Sequence, residues 1–367
     1  MNNKSKTPLF HITKRSVMPW YKAWAVRAVA ILLALLVCSV ITTTLTGENP
    51  LQLYATIFEG SFGSARRVWV LLQNISMLLC VALAVTPAFK MKFWNVGGEG
   101  QVLAGALASA ACMMCLKDIM PNSLIIVCMC VSSIAAGALW GFIPAYFKAK
   151  YNTNETLFTL MMNYVATQLV AYFTVVWENP KGSGQIGIIN QSSQIGWFPQ
   201  IGDYKYLLNI IIVAVVTVVM YVYLSYTKHG YEISVVGESE RTARYVGIKV
   251  DKVIMRTMVL SGAICGLCGL LLVASTNHTL TTTIADGRGF TAVMVSWLAK
   301  FNPLIMTLVS GLIVFLEQGA AEIVTQFTAF QLNESISDIL TGIILFFIIG
   351  SEFFVRYKIN RRKVKED

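Results

Sequence analysis

Two Cys-x-x-Cys pairs, Cys112/Cys115 and Cys265/Cys268, carry the first spacing in this chain that could hold zinc or shuttle electrons. Each lies inside an apolar helical run, SAACMMCL and SGAICGLCGLLL, with no polar knuckle or paired histidine beside it. There a spacing of three puts two small residues on one helical face, and packing is the better reading. The three histidines, His11, His229 and His278, are scattered, so the clustered titratable groups of an enzyme site are not in view. The more informative group is Glu99, in Phe93-Trp94-Asn95-Val96-Gly97-Gly98-Glu99-Gly100-Gln101. A carboxylate flanked by the amides Asn95 and Gln101 can bind a polar solute, or the carboxylate can accept backbone N–H bonds at a helix end. A second polar series starts at Asn154-Glu155 and continues with Thr159, Asn163 and Thr167, four residues apart and so on one helical face. Thr159 and Asn163 either contact solute or hydrogen-bond a neighbouring helix. Glu155 also fits the first-turn acid of its helix.

The elements that position these groups must lie in a membrane. Of 367 residues, 56% are hydrophobic and 13% charged, and the mean hydropathy is +0.63. That composition indicates a polytopic membrane protein. The net charge of +10 gathers at the ends of apolar segments, with no soluble basic domain to track nucleic acid. Apolar runs occur at 28–45, 68–89, 102–116, 123–147, 154–177, 206–226, 253–275 and 336–355, with two shorter ones at 290–299 and 304–316. Counting these two as short or tilted segments gives about ten spans, an all-α fold. The glycine-rich break near 93–101 is tolerated at membrane depth only where freed backbone groups face protein or a water-filled cavity. The small residues Gly137 and Gly141, and Gly262, Gly266 and Gly269, predict close helix packing.

Residues 228–252 form the longest charged passage, with five Lys/Arg and four Asp/Glu between apolar blocks. Within it Ser239–Val246 is expected to form a short helix, with Ser239 as N-cap and Gly247 as its stop. Such a helix can dock a soluble partner, or its arginines can bind lipid headgroups. The basic stretches 1–27 and 356–367 place both termini on the cytoplasmic face. This arrangement leaves Arg66, Arg67, Lys117, Lys181, Lys205 and Arg288 outside, six of the 29 Lys/Arg. The neutral, Gly/Ser/Gln-rich loop 178–205 is then extracytoplasmic and separates a first half, 24–177, from a second, 206–355. Halves with an odd number of spans are inverted relative to each other, a transporter architecture.

Several blocks together resemble the permease subunits of bacterial ABC importers of the branched-chain amino acid, ribose and nucleoside group. They are Phe93–Gln101 with Ala104-Gly105, Asn154–Ala166, Val236–Lys249, Leu260–Leu270, and Gly287–Ala292 with Asn302-Pro303. The likeness is nearest to nucleoside-type permeases that work with a lipoprotein of the basic membrane protein family. Trp94 is an insertion relative to that family's pattern and displaces Phe93 by one. The resemblance implies a bacterial plasma-membrane transport subunit that is not an enzyme and has no cofactor of its own. ATP and Mg would be bound by a separate ATP-binding cassette ATPase, in keeping with the lack of a phosphate loop in this sequence. Further implied partners are a second related permease or a second copy, and an extracytoplasmic substrate-binding lipoprotein.

Under this reading the substrate pathway is Asn95, Glu99, Gln101, Asn154, Glu155, Thr159 and Asn163, with Phe290 near the outer mouth. ATPase coupling falls to Gly237, Glu238, Glu240, Arg241, Arg244, Tyr245 and Gly247. The substrate expected is a nucleoside, whose flat base and vicinal hydroxyls suit amides, a carboxylate and aromatics. Sugars or riboflavin-like compounds on the same fold, and an ion-coupled secondary transporter using Glu99, are the alternatives.

Overall fold

The structure, a computed structural model, describes residues 10–15, 18–46, 49–202, 204–326 and 335–361. Lys4, Lys6, Asp203, Arg362, Lys363 and Lys365, used in the charge reading, lie outside these residues. Strand β1 (Phe10–Lys14) precedes α1 (Trp20–Thr46), an almost uniformly apolar helix. Helix α2 (Pro50–Phe62) was not expected from the sequence; Asn49 caps it by accepting from Leu51 N at 3.0 Å, and proline occupies its first turn. Its 13 residues, about 20 Å, are too short to cross a bilayer. Helix α3 (Ala65–Lys90) leads into the break at residues 91–97, followed by α4 (Gly98–Cys115), α5 (Asn122–Tyr151) and α6 (Glu155–Val176). After the 178–205 loop come α7 (Leu207–Tyr226), α8 (Lys228–Glu238), α9 (Glu240–Tyr245) and α10 (Val250–Leu271), the last extended by a π-helical turn at Leu272–Asn277. Helices α11 (Arg288–Leu298), α12 (Pro303–Gln326) and α13 (Ser335–Arg356) complete the fold, and β2 (Tyr357–Arg361) pairs antiparallel with β1.

The molecule is therefore all-α apart from this two-stranded ribbon. Seven helices among the described residues are long and apolar enough to cross a membrane: α1, α3, α5, α6, α7, α10 and α12. Two segment boundaries need correction. The 304–316 run belongs to a full 24-residue helix, because Glu317, Gln318 and Glu322 interrupt the apolar pattern without ending the helix. The 290–299 run is α11, whose 11 residues span only about 16 Å, so it is a half-helix and not a span.

The chain packs as two compact units, residues 68–314 and residues 1–67 with 315–367. In the terminal unit α1 lies along α13, where Arg27 pairs with Glu352 at 3.0 Å. Helix α2 lies along the end of α12, with Arg67 bonded to Glu322 at 2.6 Å and Gln318 donating to Gly60 O at 2.9 Å. In the central unit the core is the triple contact of α4, α5 and α10. It closes on glycine: a Cβ on Gly105 would stand 2.5 Å from Gly266 Cα, and one on Gly141 would stand 2.6 Å from Met258 O. Gly137 and Gly262 face each other in the same way. Helices here gain from dispersion between backbones, since lipid tails provide no hydrophobic drive for association. Cys265 and Cys268 are buried on this face, with Cys268 Sγ 3.8 Å from Met77 O.

The seam leaves no room for a side chain. Gly105→Leu is expected to lower the thermal unfolding temperature in detergent, by ~1–3 kcal/mol of overpacking or more because backbone opposes it. Gly342→Leu on α13, where nothing lies within 4 Å of an added Cβ, should leave it unchanged.

Candidate functional site

The break at residues 91–97 must satisfy its own backbone groups in an apolar surround, and side chains from three helices do this. Asn163 on α6 accepts from Gly100 N at 2.8 Å and donates to Val96 O at 3.0 Å. One turn earlier, Thr159 Oγ1 accepts from Val96 N at 3.2 Å. Asn95, fully buried, accepts from Gly97 N at 3.1 Å and from Gln101 Nε2 at 3.3 Å, and donates to Ser261 of α10 at 3.1 Å. Gln101 keeps one buried oxygen, Oε1, without a partner. Thr159 and Asn163 thus both hydrogen-bond across to the backbone of the break and of the α4 start.

Glu99 serves a helix end, but of another helix. Its oxygens accept from Gly287 N at 3.0 Å and Gly289 N at 2.8 Å, at the first turn of α11. Two glycines make this approach possible. Gly287 adopts φ +66°, Gly289 has no side chain, and a Cβ on Gly289 would stand 2.5 Å from Glu99 N. Helices α4 and α11 thus start at one point inside the central unit, each N-terminus favouring the same negative charge. Arg288 extends to Asn74 Oδ1 of α3 at 3.3 Å and to Asp286 at 3.5 Å. The sequence reading missed Arg288, Asn74 and Ser261; the Gly-Arg-Gly triplet before an apolar run was the available signal.

Of the other expected pathway residues, Asn154 and Glu155 lie apart from this knot. Asn154 caps α6, accepting from Leu157 N at 3.1 Å, and Glu155 pairs with Lys148 at 2.9 Å, so both fix the start of the helix. Phe290 is exposed at the α11 start, next to the Gly289–Glu99 contact. Trp94 stacks on Trp297 at 5.8 Å and meets Phe89 edge-on, so the inserted tryptophan caps an aromatic cluster at the α11 end while Phe93 is buried.

The charged passage forms the expected short helix, α9, but its first half, read as loop from the sequence, is the helix α8. Ser239 caps α9 by accepting from Thr242 N at 3.3 Å, and Gly247 ends the segment at φ +83°. Glu238, Glu240, Arg241 and Arg244 are exposed, and Tyr245 is 92% exposed. Gly237 differs from these, being buried against Lys90 O at the end of α3, where a Cβ would collide with the carbonyl. Helix α8 is also tied to α10 through Glu232 and Arg256 at 2.8 Å, and that guanidinium holds the Glu232 carboxyl below its usual range.

The 178–205 loop is held by equally local chemistry. Trp197 stacks on His278 at 3.7 Å, and Ile189 N donates to His278 O at 2.7 Å. Glu178 accepts from Gly182 N and Gly184 N, bonds that hold its carboxyl below the usual range. Burial, with the Lys205 charge, lowers His278 from 6.5 to about 4.

Two outcomes follow. Glu99→Ala strands two backbone N–H groups and is expected to cost ~1–3 kcal/mol of stability in detergent unfolding. Since the unfolded imidazole titrates near 6.5, the His278 latch stabilises the fold above that pH and loses its contribution as pH falls toward 4. Trp197 emission should therefore titrate near 4 in the folded protein; a midpoint at 6.5 would mean an unburied imidazole.

Comparison with known proteins agrees with this architecture. The family described as branched-chain amino acid transport system / permease component matches residues 69–349. A glucose ABC transporter permease protein, TsgB13 of Haloferax volcanii, is 27% identical over 362 residues, covering 94% of this chain and 92% of the relative. The guanosine ABC transporter permease protein NupP of Bacillus subtilis is 28% identical over 316 residues, covering 85% and 89%. The nucleoside ABC transporter permease protein NupB of Lactococcus lactis is 27% identical over 326 residues, covering 86% and 88%. No solved structure gives a significant match. With an all-α membrane fold and a family match over most of its length, the chain belongs to the branched-chain amino acid transport system permease family.

Proposed function

We propose that this chain is the permease of an ATP-driven nucleoside importer, both termini cytoplasmic. A cassette ATPase would dock on α9, a second permease or second copy would complete the pore, and a lipoprotein would deliver substrate at the 178–205 loop. The observation that carries the ATPase reading is α9 itself: a six-residue helix with Tyr245, Arg241 and Arg244 exposed, joined to a buried support. The nucleoside is supported by the names of two relatives, the guanosine and nucleoside permeases. A sugar is the second reading, because the glucose permease matches over more of the chain.

The contacts supply a mechanical route from ATPase to pathway. A push on α9 passes to α8, whose Gly237 seats on the Lys90 carbonyl. Lys90 is the last residue of α3 and leads directly into the break held by Asn95, Thr159 and Asn163. Beyond it, Glu99 links the α4 start to the α11 start. Two helices starting at one point, α4 and the short α11, support the reading of two inverted halves around a midplane site. ATP binding would favour one of two packings of these elements, and solute would favour the other. The ion-coupled alternative for Glu99 is weakened, since its carboxylate is occupied by backbone donors.

The test is uptake of labelled guanosine, glucose or riboflavin into vesicles carrying this chain with its neighbouring genes. ATP-dependent guanosine uptake is expected, and Arg244→Glu should reduce it by about 5- to 150-fold with membrane insertion unchanged. Uptake of glucose alone would replace the nucleoside assignment, and uptake without ATP would remove the ATPase coupling.

A further inference from the structure

The terminal unit carries an apolar groove along α1 and α13 that encloses about 680 Å³, within the range of small-molecule sites. Val29, Leu33, Phe346 and Phe354 line its length, and Arg15 stands at one end. The Nε of Arg15 is buried and has no hydrogen-bond partner within the chain, and unlike Arg27 and Arg356 its guanidinium is in no ion pair among the described residues. Its backbone N–H is bonded to Arg356 O at 2.9 Å, which fixes Arg15 beside the end of α13. The neighbouring Arg27 and Arg356 already share one carboxylate, Glu352, so positive charge exceeds negative at this end of the unit.

Other residues set the depth of this end of the groove. Trp20, Tyr21 and Trp24 are exposed over the first turns of α1, the residue types that occupy the headgroup level of a bilayer. Arg15 precedes them in the chain, and the β1–β2 ribbon beyond it presents Lys14 and Lys358 to solvent. Leu33 lies 13 residues beyond Trp20, about 20 Å along the helix, at acyl-chain depth.

We infer that this groove is a specific site for one anionic phospholipid, its phosphate on the Arg15 guanidinium and an acyl chain along Val29, Leu33, Phe346 and Phe354. A guanidinium suits phosphate by its planar fork of donors, and the excess of positive charge selects an anionic headgroup over a zwitterionic one. The site is independent of what the chain transports.

Gly350 makes the test clean. It lines the groove, and a Cβ there would meet nothing within 4 Å, so Gly350→Leu can fill the groove without straining the helix. The full chain, with any subunits it carries, is reconstituted with equal phosphatidylglycerol and phosphatidylcholine, extracted in mild detergent and weighed by native mass spectrometry. Wild type should retain one phosphatidylglycerol, and Arg15→Gln should retain about fivefold less. Gly350→Leu should lose the lipid with Arg15 intact, while the unfolding temperature of both variants in saturating detergent stays at the wild-type value. Equal retention of phosphatidylcholine, or unchanged phosphatidylglycerol in Arg15→Gln, overturns the assignment. So does a Gly350→Leu protein that dissociates from another chain without a change in bound lipid, because the groove would then seat that chain.

Discussion

A backbone amide in hydrocarbon has no water to turn to, and this constraint organises the central unit. The chain leaves helical geometry at residues 91–97 and again after the π-helical turn, and both departures are partly buried. Some of the freed donors and acceptors are then met by side chains. Asn163 and Thr159 bind the Val96 and Gly100 backbone, Asn95 binds Gly97, and Glu99 binds Gly287 and Gly289. Residues that look like a solute-binding set are thus first of all the condition for an irregular backbone at depth.

That condition has a mechanical consequence. A broken segment held by side-chain hydrogen bonds can exchange partners at lower cost than a continuous helix, whose bonds lie within its own ladder. The glycine seam of α4, α5 and α10 is the opposite kind of element, with backbone against backbone at Gly105–Gly266 and Gly137–Gly262. Close-packed helices of this type move as bodies. The three-helix core and the break are thus held by different contacts, backbone against backbone in one and side chain to backbone in the other, with α8 bearing on the end of α3 through Gly237.

Much of this was legible in the chain. The position of the break, the cap and stop of α9, and the small-residue faces of α5 and α10 each follow from short-range rules, because a glycine, a capping serine or an i,i+4 stripe acts within one or two turns. The 11-residue α11 was harder. Hydrophobicity marks what is buried but does not distinguish a short helix ending inside protein from a tilted span. Helix α2 and the β1–β2 ribbon were missed for a related reason, since their stability depends on partners more than 200 residues away, such as Glu322 and Tyr357–Arg361.

Sequence alone determined the class, the membrane solvent, the polar break and the short charged helix, since composition and local spacing act through the bilayer and the nearest turns. Only the tertiary structure decided what each polar group does. It turned Glu99 toward the start of α11, Thr159 and Asn163 onto the break, Gly237 onto the Lys90 carbonyl, and left the Nε of Arg15 without a hydrogen bond within the chain. A carboxylate or an amide is compatible with solute, helix end or neighbouring helix alike, and the choice depends on which distant backbone group the folded chain leaves unsatisfied beside it.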